Sequence, residues 1–214
     1  MTVTPDVVRH PMFARSYTRL ADRAERRGQR EHRIRLLSGC SGRVIEVGAG
    51  TGLNFAHYPS GVDEVVAVEP EPYLRARAQE SAAEAAVAVR VVDGLADRLP
   101  AEDGSFDVAI ASLLLCSVAD QPAVLREMFR VIRPQGELRF YEHVVSARPM
   151  LAHLERSLSR RMYPRFVGGC HLDRDTPSAI ERAGFQIETC ERFAFTALPF
   201  PPRVSHVLGV ARRP

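Results

Sequence analysis

A glycine-rich turn directly after an apolar run is the segment of this chain best suited to bind a cofactor. Residues 44–52 read Val-Ile-Glu-Val-Gly-Ala-Gly-Thr-Gly, which gives glycines at Gly48, Gly50 and Gly52. Glycine adopts positive φ angles and has no Cβ, so the backbone can turn sharply and approach a ligand closely. Glu46, just before the turn, would face that ligand with a negative charge. The segment therefore predicts a cofactor site between a strand and a helix.

The spacing of the turn separates two kinds of nucleotide cofactor. A dinucleotide turn reads G-x-G-x-x-G and directs a helix N-terminus at a pyrophosphate. Here the order is E-x-G-x-G-x-G, with the third glycine one residue early and with a carboxylate that a pyrophosphate would repel. The ammonium and hydroxyl groups of S-adenosylmethionine (SAM) suit this carboxylate better, so we expect SAM. The alternative is an ordinary glycine-rich turn without a ligand.

Acidic residues also follow the next two apolar runs. Glu69 ends the run Val65–Val68 about twenty residues after the turn, where a carboxylate can accept both ribose hydroxyls. An NAD enzyme would also have an acid there, and an exposed helix-capping acid is the other alternative. Asp93 follows Val91-Val92 and is the candidate to accept from the adenine amine, with backbone groups as the alternative.

Candidate catalytic residues follow the fourth and fifth apolar runs. Cys116 comes shortly after Phe106–Ser112, and Glu142 and His143 end the run that starts at Glu137. A histidine can remove the proton of a thiol, a phenol or a carbon acid near neutral pH. Cys116 could align a soft nucleophile, although free cysteine is commonly a small buried hydrophobe.

His171 is a weaker candidate for the same role. Its neighbours Cys170 and Asp173 are potential metal ligands. The sequence offers no second ligand cluster beside them, so we expect no metal site.

The apolar runs alternate with helical patterns, which predicts an α/β fold. Strands are expected at Arg43–Val47, Glu64–Glu69, Ala88–Val92, Phe106–Ser112, Glu137–Glu142, Phe185–Phe193 and Val204–Ala211, and helices at Pro72–Ala85, Pro122–Ile132 and Pro177–Ala183. Alternation of this kind implies a mainly parallel sheet with helices on both faces and ligands at the carboxyl ends of the strands.

Two segments lie outside this alternation. Apolar residues at helical spacing among arginines predict one or two helices between Pro5 and Leu37, interrupted near Gly28. A second apolar stripe, from Met150 to Met162, predicts a lid or substrate helix, with a plain packing helix as the alternative. We therefore divide the chain into an N-terminal helical cap (1–38) and a main domain (39–214) with a lid segment at about 147–172.

Composition removes several classes of chemistry. The chain has no lysine, which excludes a P-loop lysine, a Schiff-base lysine and a lysine general base. Its four cysteines lie far apart without a C-x-x-C pair, which favours a reduced, cytoplasmic protein.

Positive charge is concentrated at the start of the chain, where residues 1–40 hold nine arginines against four acids. A solvated helix face is the plain interpretation, and peripheral contact with an anionic membrane is the alternative. No nucleic-acid partner is expected, because basic and aromatic residues do not interleave. The partner we expect is a small-molecule substrate, and the sequence leaves the oligomeric state open.

Taken together, these motifs resemble the class I SAM-dependent methyltransferases over nearly all of residues 40–213. The resemblance rests on residues 44–52, Glu69-Pro70, Leu99-Pro100 with Gly104–Asp107, and Leu125–Glu127 with Arg130–Pro134. Four further segments, Leu115–Val118, Tyr141–Val144, Gly169–Thr176 and His206–Ala211, resemble the methyltransferase-like thiol S-methyltransferases in order. There are two departures: Met1–Arg35 is not the apolar membrane anchor of the animal members, and Arg-Pro-Gly-Gly reads Arg133-Pro134-Gln135-Gly136.

The resemblance implies a Rossmann-like fold with a seven-stranded sheet and methyl transfer from SAM to a small molecule, with a thiol as one candidate acceptor. The alternatives are C-, O- or N-methylation of a quinone, phenol or phospholipid amine, an NAD(P)-dependent oxidoreductase, and a SAM-binding protein without turnover. The predicted cofactor residues are Glu46, Gly48, Ala49, Gly50, Thr51, Gly52, Asn54, Glu69, Pro70, Asp93, Gly94, Leu95, Ser112 and Leu113.

Overall fold

A seven-stranded sheet organises the molecule. The computed structural model describes Thr18 and residues 20–146, 170–196 and 204–214. The strands are β1 (Gly42–Val47), β2 (Val62–Val68), β3 (Val89–Val92), β4 (Phe106–Ser112), β5 (Ile132–His143), β6 (Gln186–Phe195) and β7 (Val204–Arg212). Their order is β3-β2-β1-β4-β5-β7-β6, and only β7 runs antiparallel to its neighbours. The predicted mainly parallel sheet of seven strands is confirmed.

Helices cover both faces of this sheet. They are α1 (Arg30–Leu37), α2 (Pro72–Ala83), α3 (Gln121–Val131) and α4 (Thr176–Arg182), with a short 3-10 turn at Phe55–His57. One core layer joins α1 and α2 to the sheet through Leu36, Leu37 and Ala78. The other joins α3 and α4 to the opposite face through Met128 and Ile180. The two layers explain why the central strands read as continuous apolar runs, since both of their faces are buried.

Three helices start in the same way. Glu71, Asp120 and Asp175 accept a hydrogen bond from a backbone N–H in the first turn of α2, α3 and α4, respectively. A proline occupies the first turn of each helix, where its missing N–H costs nothing. These starts are encoded locally, so the predicted helices lie within about two residues of the observed ones.

The helix before β1 is interrupted where the sequence predicts. Gly28 has φ +109° inside a wide turn at Glu25–Gln29, and α1 continues from Arg30 to Leu37. Apart from Thr18 and residues 20–38, the predicted N-terminal cap lies outside the described residues. So does most of the predicted lid, because the description stops at Ser146 and resumes at Cys170.

β5 starts earlier than predicted because it includes a turn. Ile132 already pairs with Phe106, the register then shifts, and regular pairing resumes at Glu137 with Val108. Gln135 has φ +64° in this turn. A Cβ on Gly136 would lie 2.5 Å from the Ile132 side chain and 2.7 Å from the Asp107 carbonyl oxygen. The segment therefore needs glycine at 136 and tolerates a strained residue at 135.

Candidate active site

The glycine turn lies at the carboxyl ends of β1 and β2. Gly48, Gly50 and Gly52 all have positive φ, at +71°, +59° and +80°. The N–H groups of Gly48 and Ala49 donate to the carbonyl oxygen of Val68, at 2.8 and 3.1 Å. The turn is thus fixed to the end of the neighbouring strand, in a conformation that L side chains rarely adopt. This is the location at which open α/β sheets bind ligands.

Glu46 is buried beneath this turn. One carboxylate oxygen accepts from Asn54 Nδ2 at 2.9 Å, and the other accepts from the Tyr58 hydroxyl at 2.7 Å. Burial raises the pKa of Glu46 to about 7, although both hydrogen bonds act against that rise. Glu46 therefore holds the segment after the turn, in addition to any contact with a cofactor.

Glu69 spans the mouth of the turn. Its carboxylate accepts from the Gly50 N–H at 2.8 Å and from the Glu71 N–H at 3.0 Å. Burial raises the pKa of Glu69 to about 7. A carboxylate oxygen has a second lone pair, so each oxygen can also accept from a ribose hydroxyl.

Arg33 of α1 connects the segment after the glycine turn with the end of β4. Its Nη1 donates to Asn54 Oδ1 at 3.0 Å and to Ser112 Oγ at 3.1 Å, while its Nε pairs with Glu25 at 2.8 Å. Arg33 is only 5% exposed. Sequence reasoning assigned the N-terminal arginines to the surface and missed this one, because no local pattern distinguishes it from its neighbours.

The predicted adenine loop lies next to Glu69. Asp93 is exposed and forms an ion pair with Arg75 at 3.1 Å, and the same arginine donates to the carbonyl oxygens of Glu69 and Pro70. Gly94 has no room for a Cβ, which would lie 2.9 Å from Pro100 and 3.0 Å from Val68. Leu95 forms an isolated bridge with Arg98 that closes the loop.

The loop after β4 passes close to the glycine turn. Leu113 has φ +56°, an uncommon value for a branched residue, and its N–H donates to the Tyr141 carbonyl oxygen at 2.7 Å. A Cβ on Gly48 would lie 2.6 Å from Leu114 Cδ1. Backbone strain of this kind is commonly stored at functional sites.

Glu142 holds this loop in place. Its carboxylate accepts from the backbone N–H groups of Leu114, Leu115 and Cys116 at 3.0, 2.8 and 3.1 Å. The residue is fully buried, and burial raises its pKa well above the ordinary value. Glu142 therefore positions the loop after β4.

Beyond Glu142, two sulfurs and an imidazole converge. His143 Nδ1 lies 3.4 Å from Cys116 Sγ and 3.3 Å from Cys170 Sγ. All three ligand atoms lie within 4.8 Å of one another. The two cysteines are buried and His143 is partly exposed. We call these three residues the Cys-His-Cys cluster; each is separated by 27 residues from the next along the chain.

The cluster alters the titration of its own members. The neighbouring Cys170 thiol and burial together raise the pKa of Cys116 to about 12. Burial alone would lower the pKa of His143, but the adjacent Cys116 sulfur raises it above the ordinary value. His206 packs on the far side of His143, with ring centroids 4.5 Å apart, and burial lowers its pKa to about 3.

Residues 170–174 are tied to the loop after β4. The His171 N–H donates to the Cys116 carbonyl oxygen at 2.7 Å, and the Arg174 guanidinium donates to the carbonyl oxygens of Leu115 and Val118. The pKa of the part-exposed His171 side chain is lowered by burial and by Arg174. Sequence reasoning selected Cys116, His143 and His171 one at a time but did not identify the cluster, because its members are brought together only by the sheet.

The sheet order, the acid-flanked glycine turn and the acidic residue at the end of β2 together define a class I SAM-dependent methyltransferase. Residues 45–140 match a family model described as a methyltransferase domain. The same fold is found in a SAM-dependent methyltransferase of Thermotoga maritima, at a TM-score of 0.71 with 20% identity, over 95% of this chain and 97% of that one.

Sequence comparison identifies the branch. The chain is 35% identical to the thiol S-methyltransferase TMT1B of Homo sapiens, over 83% of this chain and 74% of the human protein. It is also 35% identical to the Mus musculus protein of that name, over 94% of this chain and 82% of the relative. The chain therefore belongs to the SAM-dependent methyltransferase family that contains these thiol S-methyltransferases, and it is a methyltransferase enzyme. Among the described residues, no helix is long and apolar enough to span a bilayer.

Proposed function

We propose that this enzyme transfers the methyl group of SAM to the sulfur of a small-molecule thiol. The observation that carries the proposal is the Cys-His-Cys cluster, which lies at the carboxyl ends of β4 and β5, with Leu114 of the same loop against Gly48 of the glycine turn. Relatives named as thiol S-methyltransferases support the same acceptor.

The cofactor end of the site follows from the three buried or strained features around the turn. Glu69 accepts hydrogen bonds from the ribose hydroxyls. The backbone of Gly48–Gly52 approaches the ligand closely because the three glycines have no Cβ, and Glu46 supplies negative charge near the ammonium group. The Asp93–Leu95 loop borders the adenine. Ser112 and Leu113, at the end of β4, border the sulfonium.

The acceptor end lies past Leu113. A thiolate attacks the sulfonium methyl carbon in line, the carbon–sulfur bond to the cofactor breaks, and its electron pair stays on the sulfur of S-adenosylhomocysteine. SAM is already electrophilic, so the protein contributes alignment and exclusion of water. The remaining requirement is loss of the thiol proton, and we assign this step to His143. Glu142 positions the loop after β4. Cys116 lies beside the acceptor, and His171 lies at the border of the acceptor site.

Transfer from methyl-labelled SAM tests the proposal. The panel contains an apolar thiol, a charged thiol, a quinol, a phenol and a primary amine, and we expect label in the thiol products. His143→Gln should lower kcat by about 100-fold or more on weakly acidic thiols, and by less on acidic ones that are already ionised. His57→Gln, a part-buried histidine on the 3-10 turn, is the matched control and should leave kcat unchanged. Label in the quinol, phenol or amine with none in the thiols would overturn the thiol assignment.

A further inference from the structure

The Cys-His-Cys cluster has the composition and the spacing of a metal centre. Zinc in proteins is bound by thiolate sulfur at about 2.3 Å and imidazole nitrogen at about 2.0–2.1 Å, which places tetrahedral ligand atoms about 3.5–3.8 Å apart. The imidazole nitrogen lies 3.3 and 3.4 Å from the two sulfurs, and the three atoms lie within 4.8 Å of one another. The two imidazole-to-sulfur distances are thus within a few tenths of an ångström of those in a zinc site, and the two sulfurs would need to approach each other by at most about 1 Å.

The surrounding backbone keeps these three side chains together. Glu142 binds the N–H of Cys116 to the end of β5, directly before His143. The His171 N–H binds the carbonyl oxygen of Cys116, which keeps Cys170 beside it. Arg174 adds a further link between the two loops. Ligands on three separate segments are thus held by contacts that do not themselves need a metal, as expected of a preorganised site.

We propose that Cys116, His143 and Cys170 form a zinc site whose open fourth position binds the sulfur of the acceptor thiol. This inference rests on the proposed function. Three protein ligands with one open position are typical of catalytic rather than structural zinc. Soft thiolate ligands favour Zn²⁺ over the hard cations Mg²⁺ and Ca²⁺.

Charge explains why such a site suits this reaction. Two thiolates and a neutral imidazole cancel the charge of Zn²⁺, so the site without acceptor is neutral. A thiol that binds there gives its proton to solvent and remains as a metal-bound thiolate, because zinc favours the deprotonated ligand. His143 then promotes loss of the proton as a ligand of the metal, in place of acting as the base itself. The centre then has one negative charge and faces the positive sulfonium of the cofactor. Attack forms the thioether, which is neutral and a weaker ligand, so the product can leave while Zn²⁺ stays with its three protein ligands.

Metal binding by the whole chain tests the site without depending on turnover. Tag-free protein, reduced with a phosphine, is loaded with Zn²⁺, dialysed and analysed for metal. We expect about one equivalent in the wild type and in Cys190→Ser, since Cys190 is exposed on β6. Cys116→Ser and Cys170→Ser should each lose more than the roughly 10- to 100-fold in Zn²⁺ affinity that is lost when a residue hydrogen-bonded to a metal ligand is removed. SAM affinity should change by less than about twofold in every variant, which shows that each still folds.

Co²⁺ provides a second readout that needs no variant. The wild type should show thiolate-to-cobalt charge-transfer absorption and tetrahedral d–d bands, and added acceptor thiol should increase the charge-transfer intensity. Absence of these bands and of retained Zn²⁺ would overturn the proposal. So would equal Zn²⁺ retention by the two cluster variants, or a Cys116–Cys170 disulfide in place of metal binding under the same conditions.

Activity separates this inference from the proposed function. Zn²⁺ bound without thiol methylation leaves the metal site standing and removes the proposed acceptor. Full thiol methylation after a chelator has reduced the metal content to zero would overturn the catalytic zinc site and support the thiol acceptor. His143 would then act as a free imidazole beside the acceptor.

Discussion

At the scale of single residues, three buried carboxylates organise the backbone around the site. Glu46 binds Asn54 and Tyr58, Glu69 binds the turn itself, and Glu142 binds three consecutive N–H groups of the loop after β4. Their function is mainly to accept hydrogen bonds, which fits a reaction whose methyl donor is already activated.

Glu69 should control cofactor affinity in a pH-dependent way. Removing its charge in Glu69→Gln should raise the Kd for SAM about 10- to 100-fold at pH 8, since a hydrogen bond to a charged group contributes about 1.5–3 kcal/mol. The pKa of Glu69 is about 7 in the free protein, so the wild type should bind SAM more weakly as pH falls from 8 to 6, while the variant changes less. Calorimetric titration measures both effects.

The matched control for this experiment is Asp63→Asn, an exposed acid on the same strand. It should bind SAM as the wild type does at both pH values. A wild-type affinity that does not vary with pH, or an equal loss in both variants, would contradict the role of Glu69.

Residue types and local spacing selected the glycine turn, Glu69 and the candidates Cys116, Glu142 and His143, all of which lie at the carboxyl ends of the strands, and their roles in binding and catalysis stay predictions. They did not predict that the Glu142 carboxylate would accept hydrogen bonds from three backbone N–H groups, or that Cys170 would lie close to Cys116. Both facts depend on the register of β4 against β5 and on the return of the chain at residue 170, which a one-dimensional pattern does not contain.

At the scale of elements, α1 has a larger role than its position before β1 suggests. Its Arg33 bonds to Asn54 after the glycine turn and to Ser112 at the end of β4, so one side chain spans both halves of the proposed site. The sequence predicted a helix here but not its buried arginine.

Arg33→Met should therefore weaken both folding and cofactor binding. Loss of a buried, hydrogen-bonded charge costs about 3–5 kcal/mol, because Glu25 and Asn54 are left without their partner. Arg35→Met, which removes an exposed ion pair with Glu191, should cost no more than about 1 kcal/mol. Urea denaturation with and without SAM measures the two effects, and equal losses in the two variants would argue against a special role for Arg33.

The turn inside β5 holds a non-glycine residue, Gln135, in a backbone conformation that favours glycine. Gln135 adopts φ +64°, which costs a non-glycine residue about 1–2 kcal/mol, partly offset in Gln135→Gly by the greater freedom of glycine in the unfolded chain. We expect a net gain of about 0.5–1 kcal/mol. Gly136→Ala should destabilise, because its Cβ would meet Ile132 and Asp107. Thermal unfolding should move in opposite directions for the two variants, and a lower Tm for Gln135→Gly would be the contrary result.

The strands and helices were the most predictable elements. Acidic caps followed by proline mark α2, α3 and α4, and continuous apolar runs mark strands that are buried on both faces. The start of β5 was missed because the sequence of Arg133–Gly136 is typical of a turn. The segment does form a turn, but Ile132 before it already pairs with Phe106, so the turn lies within the strand.

At the scale of the whole molecule, groups with opposite pKa shifts set the pH dependence of stability. Glu46 and Glu69 have pKa values of about 7 in the folded state. Their contribution to stability is therefore fully present at pH values below the ordinary glutamate pKa and is lost as pH rises through 7. His206, with a pKa of about 3, acts oppositely: its stabilisation is present above its ordinary value and is lost as pH falls toward 3.

Three buried acids, Glu46, Glu69 and Glu142, outweigh His206 between pH 5 and 7. The unfolding free energy of the cofactor-free protein should therefore fall by about 1 kcal/mol or more per pH unit as pH rises across this range. Denaturant titrations at pH 5.5 and 7.5 measure the trend. In the Glu46→Gln, Glu69→Gln double variant, Glu142 and His206 remain and act in opposite directions, so the trend should flatten. A wild type that gains stability with rising pH would contradict this assignment.

The position of β7 between β5 and β6 also determines when the sheet can close during synthesis. β1 to β4 pair only among β1 to β5, which come from the ribosome first, so the half of the sheet that carries the glycine turn can form while the chain is still growing. β6 pairs with β7 alone, and β7 covers the open edge of β5. Until residues 204–212 emerge, the nascent chain therefore exposes an unpaired edge next to His143, and the half of the sheet that carries the Cys-His-Cys cluster is completed last.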